Sequence, residues 1–191
     1  MTQSVKTPFT DTTVNQLRAG DSVTLSGIIY TARDAAHKRL VDLIDNGSQL
    51  PFDLRGQVIY YVGPAPARPG YPLGSAGPTT SMRMDRYAPV LIENGLNGII
   101  GKGEMGAKVA EALQEHNGVY FAAIGGAGAL IAQCVTYSRI IAWEDLGPEA
   151  VRELTIVDMP LIVAQDSRGN NLFRDGKAAY EQNIRSEYGF E

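Results

Sequence analysis

An α/β fold is what this 191-residue sequence predicts, and three observations predict it. Short apolar runs of strand length alternate with stretches of helical period, the connections between them are rich in glycine, and the order strand, loop, helix recurs along the chain. The elements follow in order. "DSVTLSGIIYT" alternates and is β-branched from Val23 to Tyr30, which predicts a strand, and "DAAHKRLVDLIDNG" predicts a helix with Asp34 as N-cap and Asn46-Gly47 as its stop. "QVIYYVG" is a compact apolar strand. The Pro/Gly-rich stretch from Pro64 to Gly77 is too long for a simple turn, and long connections of that kind in compact domains are often functional.

A helix is expected over "TTSMRMDRYAPVLIENG", bent or split at Pro89, with Thr79 or Thr80 as N-cap after Pro78 disfavours helix at Gly77. "NGIIGKGEMG" reads as a short strand entering a glycine turn, and "GAKVAEALQEHNG" as a helix with Val109, Ala110 and Leu113 on one face. "GVYFAAIGGAGALIAQC" repeats strand, glycines and helix. "RELTIVDMPLIVAQDSRG" supplies two β-rich runs separated at Met159-Pro160, and the tail from about residue 170 is polar. Residues 1–191 therefore read as one domain with a polar tail, without tandem repeats or low-complexity segments.

Composition narrows the function. Lys plus Arg number 17 against 21 for Asp plus Glu, a net charge of -4, so there is no electrostatic footprint for nucleic acid. No apolar run approaches a membrane span, and the opening "MTQSVKTPFTD" lacks the build of a signal peptide, which points to a cytoplasmic protein without a membrane partner. Cys134 is the single cysteine, and His37 and His116 are the two histidines. No disulfide, multi-cysteine metal site or iron–sulfur site can be assembled from them, so a metal would need ligands from another chain.

Four loop-to-helix junctions stand out: "YTARDAAH", "GPTTSMRMD", "GKGEMG" and "IGGAGAL". In an open α/β sheet such junctions gather at the carboxyl ends of the strands. Three of them carry a cation, Arg33, Arg83 and Lys102. Arg83 is the odd one, because a helix start attracts anions and acidic side chains, not arginine. An anion bound there would reconcile the arginine with the amides and the hydroxyls of Thr79 and Thr80; the plainer alternative is an Arg83 in solvent, or paired with Asp85 or Asp53. Arg33 and Lys102 admit the same plain alternatives, a surface ion pair and a surface turn. "GKG" lacks the spacing of a phosphate-binding P-loop, and "GGAGA" is a fragment of a dinucleotide fingerprint with Ile131 where a third glycine belongs, so a nicotinamide-dependent oxidoreductase is a weak reading. Together the cations favour a small dicarboxylate, with Thr79 beside its carbon skeleton. What the residues lack is an activator for that hydroxyl.

The block "GPAPARPGYPLGSAGPTTSMRMD", with "YTARDAAHKRL" and "GKGEM", resembles the beta subunit, or C-terminal domain, of the iron–sulfur-dependent class I fumarases and L-tartrate dehydratases, from about Leu17 to the tail. The resemblance implies a three-layer β/β/α swivelling domain. It implies a partner alpha subunit that holds a 4Fe-4S cluster through three cysteines, with one iron open as Lewis acid, in an α2β2 heterotetramer. Arg33, Thr79, Arg83 and Lys102 become the substrate-binding residues, and Thr79 a base for the C3 proton of malate, aided by an acidic residue of the other half. His37 matches the pattern with an indirect or helix-surface role. Fumarate ranks first as substrate; L-tartrate, or a non-catalytic anion-binding module, are the alternatives.

Overall fold

The computed structural model describes residues 2–188, and its architecture is mixed α/β. Seven strands, β1 (Gln3–Lys6), β2 (Ser22–Thr31), β3 (Val58–Tyr60), β4 (Gly98–Gly101), β5 (Val119–Ala122), β6 (Val135–Ala142) and β7 (Val151–Gln165), form one sheet. The helices are α1 (Asp11–Gln16), α2 (Asp34–Asp45), α3 (Ala88–Glu93), α4 (Ala107–Glu115), α5 (Gly128–Gln133) and α6 (Leu172–Tyr188). Strands β2, β3, β4 and β5 pair in parallel, as strand–helix repeats require. β7 then runs antiparallel to both β5 and β2, which closes these five strands into a ring. β1 extends the sheet beside the first half of β2, and β6 beside the first half of β7.

Alternation along the short strands divides the apolar side chains between two cores. Val58, Tyr60, Ile100, Val119 and Phe121 face a core shared with Leu25, Ile29, Leu154 and Val163 of the ring. Their sequence neighbours Ile59, Tyr61, Ile99 and Tyr120 face the other way, against Leu40, Leu91, Val109 and Leu113 of the helices. Strands so short are continuous in apolar character because both faces are covered. Among the described residues no helix is long and apolar enough to cross a membrane.

Several expectations are corrected. The helix expected from Thr79 onward is split ahead of Pro89, as the proline allows, but its first piece is a 3-10 turn, Ser81–Met84; Pro89 occupies the first turn of the separate α3, where its missing N–H costs nothing. Asp34 is the first residue of α2 and Arg33 takes the N-cap position, so Asp34 does not cap. Neither threonine caps the 3-10 turn: Thr80 stands at its N-cap without a side-chain bond, and Thr79 precedes it. On α4, Ala112 is buried with Val109 and Leu113, in place of Ala110. The two runs expected around Met159-Pro160 are one strand, β7, whose irregularity falls earlier, at Asp158. Asp158 has φ of 49° and donates its N–H to Ser26 Oγ at 2.9 Å, so the ladder is already broken where Pro160 enters. The polar tail is largely the helix α6, and β1, α1 and β6 have no counterpart among the expected elements.

Two neighbours on β2 test the ring. Ile29 is fully buried inside it while Ile28 is 43% exposed outside. Ile29→Ala is expected to destabilise by about 2–5 kcal/mol and Ile28→Ala by less than about 1, read from urea midpoints. Equal losses would contradict this facing of β2.

Candidate functional site

Parallel pairing puts the carboxyl ends of four strands on one edge. Thr31 of β2 lies beside Tyr60 of β3, Tyr60 beside Ile100 of β4, and Ile100 beside Phe121 of β5. The four loop-to-helix junctions therefore leave the sheet side by side, and they are tied to one another. Arg83 reaches from its turn to Asp34 at the start of α2, Nε donating to Oδ1 at 3.0 Å with a terminal nitrogen 2.7 Å from Oδ2. Thr80 pairs with Lys102 as an isolated bridge, and Pro78 pairs with Val62 at the end of β3. The Ala76 amide donates to the Gly128 carbonyl at 2.9 Å, joining the long Pro/Gly loop to α5.

Arg33 leaves β2 two residues after its end. His37 holds its carbonyl twice, through its amide at 2.7 Å and through Nδ1 at 3.0 Å. Its guanidinium crosses the exit of β3 so closely that a Cβ on Gly63 would stand 2.5 Å from one terminal nitrogen and displace it. Glu149 lies 3.6 Å away, and the other oxygen of the same carboxylate accepts the Ala35 amide at 2.9 Å. Glu149 thus satisfies a free amide at the start of α2 and faces Arg33 at once. The Arg33 side chain is 21% exposed and its Nε has no partner among the described residues.

Arg83 is neither free in solvent nor paired with Asp85 or Asp53. It stands third in the four-residue 3-10 segment, too short to be a helix N-terminus, and its side chain, 49% exposed, keeps donors open to solution. Thr79 is half-buried and donates its amide to the Tyr61 carbonyl at 2.7 Å. Lys102 is exposed, and its Cδ passes 3.4 Å from where a Cβ on Gly125 would be, so it lies along the loop after β5. Among the described residues it has no ion-pair partner. All four expected residues thus share one edge, Arg33 and Arg83 each facing an internal carboxylate.

The sequence reading missed those acids, and it missed Ser81 and Tyr120. Ser81 sits inside the quoted "GPTTSMRMD" block, fully buried, and bonds to the Lys102 backbone. Asp34 had the wrong role, and nothing local in sequence marks Glu149. His37 is fully buried, not on the helix surface. Its ring meets Tyr61 edge-on at 5.0 Å, and burial pushes the imidazole down to about 4. Burial also raises the Asp85 carboxyl, which accepts the Gly106 amide at the start of α4 at 2.9 Å.

A metal cluster does not fit the described residues of this chain. Cys134 packs against the inner core with its thiol pushed up by burial, and no three His, Cys, Asp or Glu side chains converge among the described residues. A cavity of about 300 Å³ lies between α4 and the start of α6, and the four candidate residues are not in its lining.

The family model described as Fumarase C-terminus matches residues 2–176. A provisionally named fumarate hydratase class I from Geobacillus stearothermophilus is 39% identical over 90% of this chain and 34% of its own length. The anaerobic fumarate hydratase class I of Escherichia coli is 37% identical over 84% of this chain and 30% of its own. A Methanocaldococcus jannaschii protein with the provisional name L(+)-tartrate dehydratase subunit beta is 39% identical over 88% of this chain and 90% of its own length. The chain thus spans about a third of the fumarate hydratases that it matches and nearly all of the beta subunit.

The buried imidazole generates a pH prediction. An unfolded histidine titrates near about 6.5, so between there and about 4 the unfolded chain binds the proton and the folded chain does not. Stability is whole above that window and falls as pH drops through it, by about 3 kcal/mol in total. His37→Gln is expected to remove this part of the slope, read from urea midpoints at pH 7 and pH 4.5. An unchanged slope would mean that His37 is not the group responsible.

Proposed function

This chain belongs to the fumarase C-terminus family, and from that premise we propose that it is the carboxylate-binding, beta-type part of an iron–sulfur hydro-lyase that interconverts fumarate and L-malate. The observation that carries the reading is the grouping of Arg33, Thr79, Arg83 and Lys102 on the loops that leave the carboxyl ends of β2, β3 and β4. The guanidiniums and the ammonium bind the two carboxylates of the substrate. An arginine has five N–H donors, more than Asp34 or Glu149 uses, so the internal acids orient the planes and the remaining donors meet the ligand.

Thr79 is the hydroxyl that takes the proton from C3 of malate while giving its own to a carboxylate of the partner; the C3–H electron pair forms the double bond, and the C2 hydroxyl leaves as hydroxide, released with a proton as water. A threonine is a weak base by itself, so an acidic group of the partner receives the proton from it. Arg83 offsets the negative charge that grows on the carboxylate as that proton leaves. This answers why a cation stands in that loop.

The remaining parts belong to a partner. Tyr71 and Met82 between β3 and α3, Ile124 just after β5 and Leu130 in α5 are large apolar side chains exposed on the segments that follow the carboxyl ends of β3 and β5, which supports a covering protein surface there. The partner is an alpha-type part that holds the 4Fe-4S cluster, in a cytoplasmic α2β2 heterotetramer. The two cores on opposite faces of β3, β4 and β5 support the three-layer β/β/α description, with residues 1–191 as a single domain that swivels against the partner. L-tartrate as substrate is the second reading. It is favoured by the beta subunit whose length this chain nearly matches.

With the complete enzyme assembled anaerobically, Arg83→Lys keeps the charge but loses the planar fork, and kcat/KM is expected to fall at least about tenfold with the melting temperature unchanged. Near-normal kinetics would remove Arg83 from the site. Thr79→Ala is expected to lower kcat by about a hundredfold with little change in KM, and Thr79→Ser to retain most of the activity. Wild-type exchange of the C3 proton of malate with deuterated solvent in the alanine variant would reassign the base to the partner.

A further inference from the structure

Lys102 carries its ammonium on a flexible stem from a loop flanked by Gly101 and Gly103, yet a ligand for a carboxylate must leave its backbone in a defined direction. Beneath that loop the backbone is gripped at three points. Ser81 donates its N–H to the Lys102 carbonyl at 2.9 Å, and its Oγ accepts the Lys102 N–H at 2.9 Å. The Tyr120 hydroxyl, brought from β5, lies 2.9 Å from Ser81 Oγ and donates to the Gly103 carbonyl at 2.5 Å.

The proton positions follow from the donor inventory. An amide only donates and a carbonyl only accepts, so the single phenolic proton of Tyr120 is committed to Gly103. Ser81 must then donate its own proton to the Tyr120 oxygen. The chain of bonds runs one way, from Lys102 N–H through Ser81 and Tyr120 to the Gly103 carbonyl, and it begins and ends on the same loop. Such one-way chains strengthen each member. Both side chains are essentially sealed from water, at 0% and 1% exposure, so no solvent replaces a lost partner. The approach also needs Gly101 bare, because a Cβ there would stand 1.9 Å from Ser81 Oγ. Burial pushes the Tyr120 phenol up to about 12, which keeps its proton in place at ordinary pH.

We propose that Ser81 and Tyr120 are positioning residues for Lys102, their hydroxyl chain holding the Gly101–Gly103 loop so that the lysine projects beside Thr79 and Thr80. This rests on the reading of Lys102 as a carboxylate ligand. The Ser81 backbone bond, which neither side chain supplies, fixes the spacing between Lys102 and the Thr79–Thr80 segment, so the hydroxyl chain acts on the direction of Lys102 and not on the position of Thr79.

The test has two readouts. By nitrogen-15 NMR of the 191-residue chain, the Lys102 amide is expected to exchange with solvent at least about tenfold faster in Tyr120→Phe and in Ser81→Ala. In the complete enzyme, both variants are expected to raise KM about five- to tenfold with kcat within about twofold. In a Lys102→Ala background, Ser81→Ala is expected to change KM by less than about twofold, a coupling that a general loss of stability would not produce. Unchanged exchange at Lys102 in both variants overturns the proposal, and so does a Ser81→Ala effect as large without Lys102 as with it. Failure of the wild-type assembly to turn over malate or tartrate overturns the functional reading instead, and the exchange result then decides the hydroxyl chain alone. Tyr120→Phe, which removes one oxygen and keeps the ring in place, serves if Ser81→Ala does not fold.

Discussion

The antiparallel ladder between β2 and β7 is the constraint on which the rest of the structure depends. It pairs Ser22–Leu25 with Ile162–Met159 and Gly27–Thr31 with Ile156–Arg152, and so closes the ring around the inner core. A sheet closed in this way buries strand edges that would otherwise be open along β2 and β5. The ladder also brings the segment just before β7 to the end of β2. Thr31, fully buried, donates to the Ala150 carbonyl and accepts the Arg152 amide at 3.0 Å. Glu149 is thereby delivered to Ala35, 114 residues away in sequence, and so to Arg33. Arg39 of α2 binds Asp145 of the same segment at 3.0 and 2.6 Å, a second tie between the first helix of the site and the approach to β7.

The electrostatics of the edge are arranged for orientation more than for stability. Half-exposed ion pairs such as Arg83–Asp34 contribute about 0–1 kcal/mol, because solvent screens them and holding two side chains costs entropy. Their effect is to fix where the guanidinium planes lie. Among the described residues Lys102 has no acid to orient it, and the hydroxyl groups under its loop act on its backbone instead. Both devices join segments from different strands, so neither forms until the sheet has assembled. The buried side of the edge is costly in the same sense: His37 stays neutral down to acid pH, and Asp85 is held in a setting that disfavours its charge.

Strand and helix patterns were legible wherever one face or both faces of an element are buried. β2, β4, β5, α2 and α4 emerged where periodicity and glycine placed them. Elements whose stability comes from distant partners were not. β6 is an edge strand whose side chains are mostly half-exposed or exposed, so it lacks the apolar run that marks a central strand, and it exists because β7 offers it a ladder. The polar α6 docks on β7, with Asn171 just before it bonded to Gln165 and Phe173 packed against the outer core. The stretch after Thr80 breaks into a 3-10 turn and α3, because Ser81 and Asp85 spend their polar groups on the Lys102 loop and on Gly106 instead of on a continuous helix.

By itself the sequence determined the α/β class, the recurrence of strand–loop–helix units, the four loop-to-helix junctions and the cations on three of them, since these depend on local period, turn chemistry and residue type. Only the tertiary structure decided what each cation faces. Asp34 was read as a cap and is the partner of Arg83; Glu149 carried no local signal and faces Arg33; Ser81 and Tyr120 come from different elements to grip one loop. The physical reason is that hydrogen bonds and ion pairs between segments depend on the register of parallel strands and on the β2–β7 closure, and both are set by burial over the whole chain, not by any window of sequence.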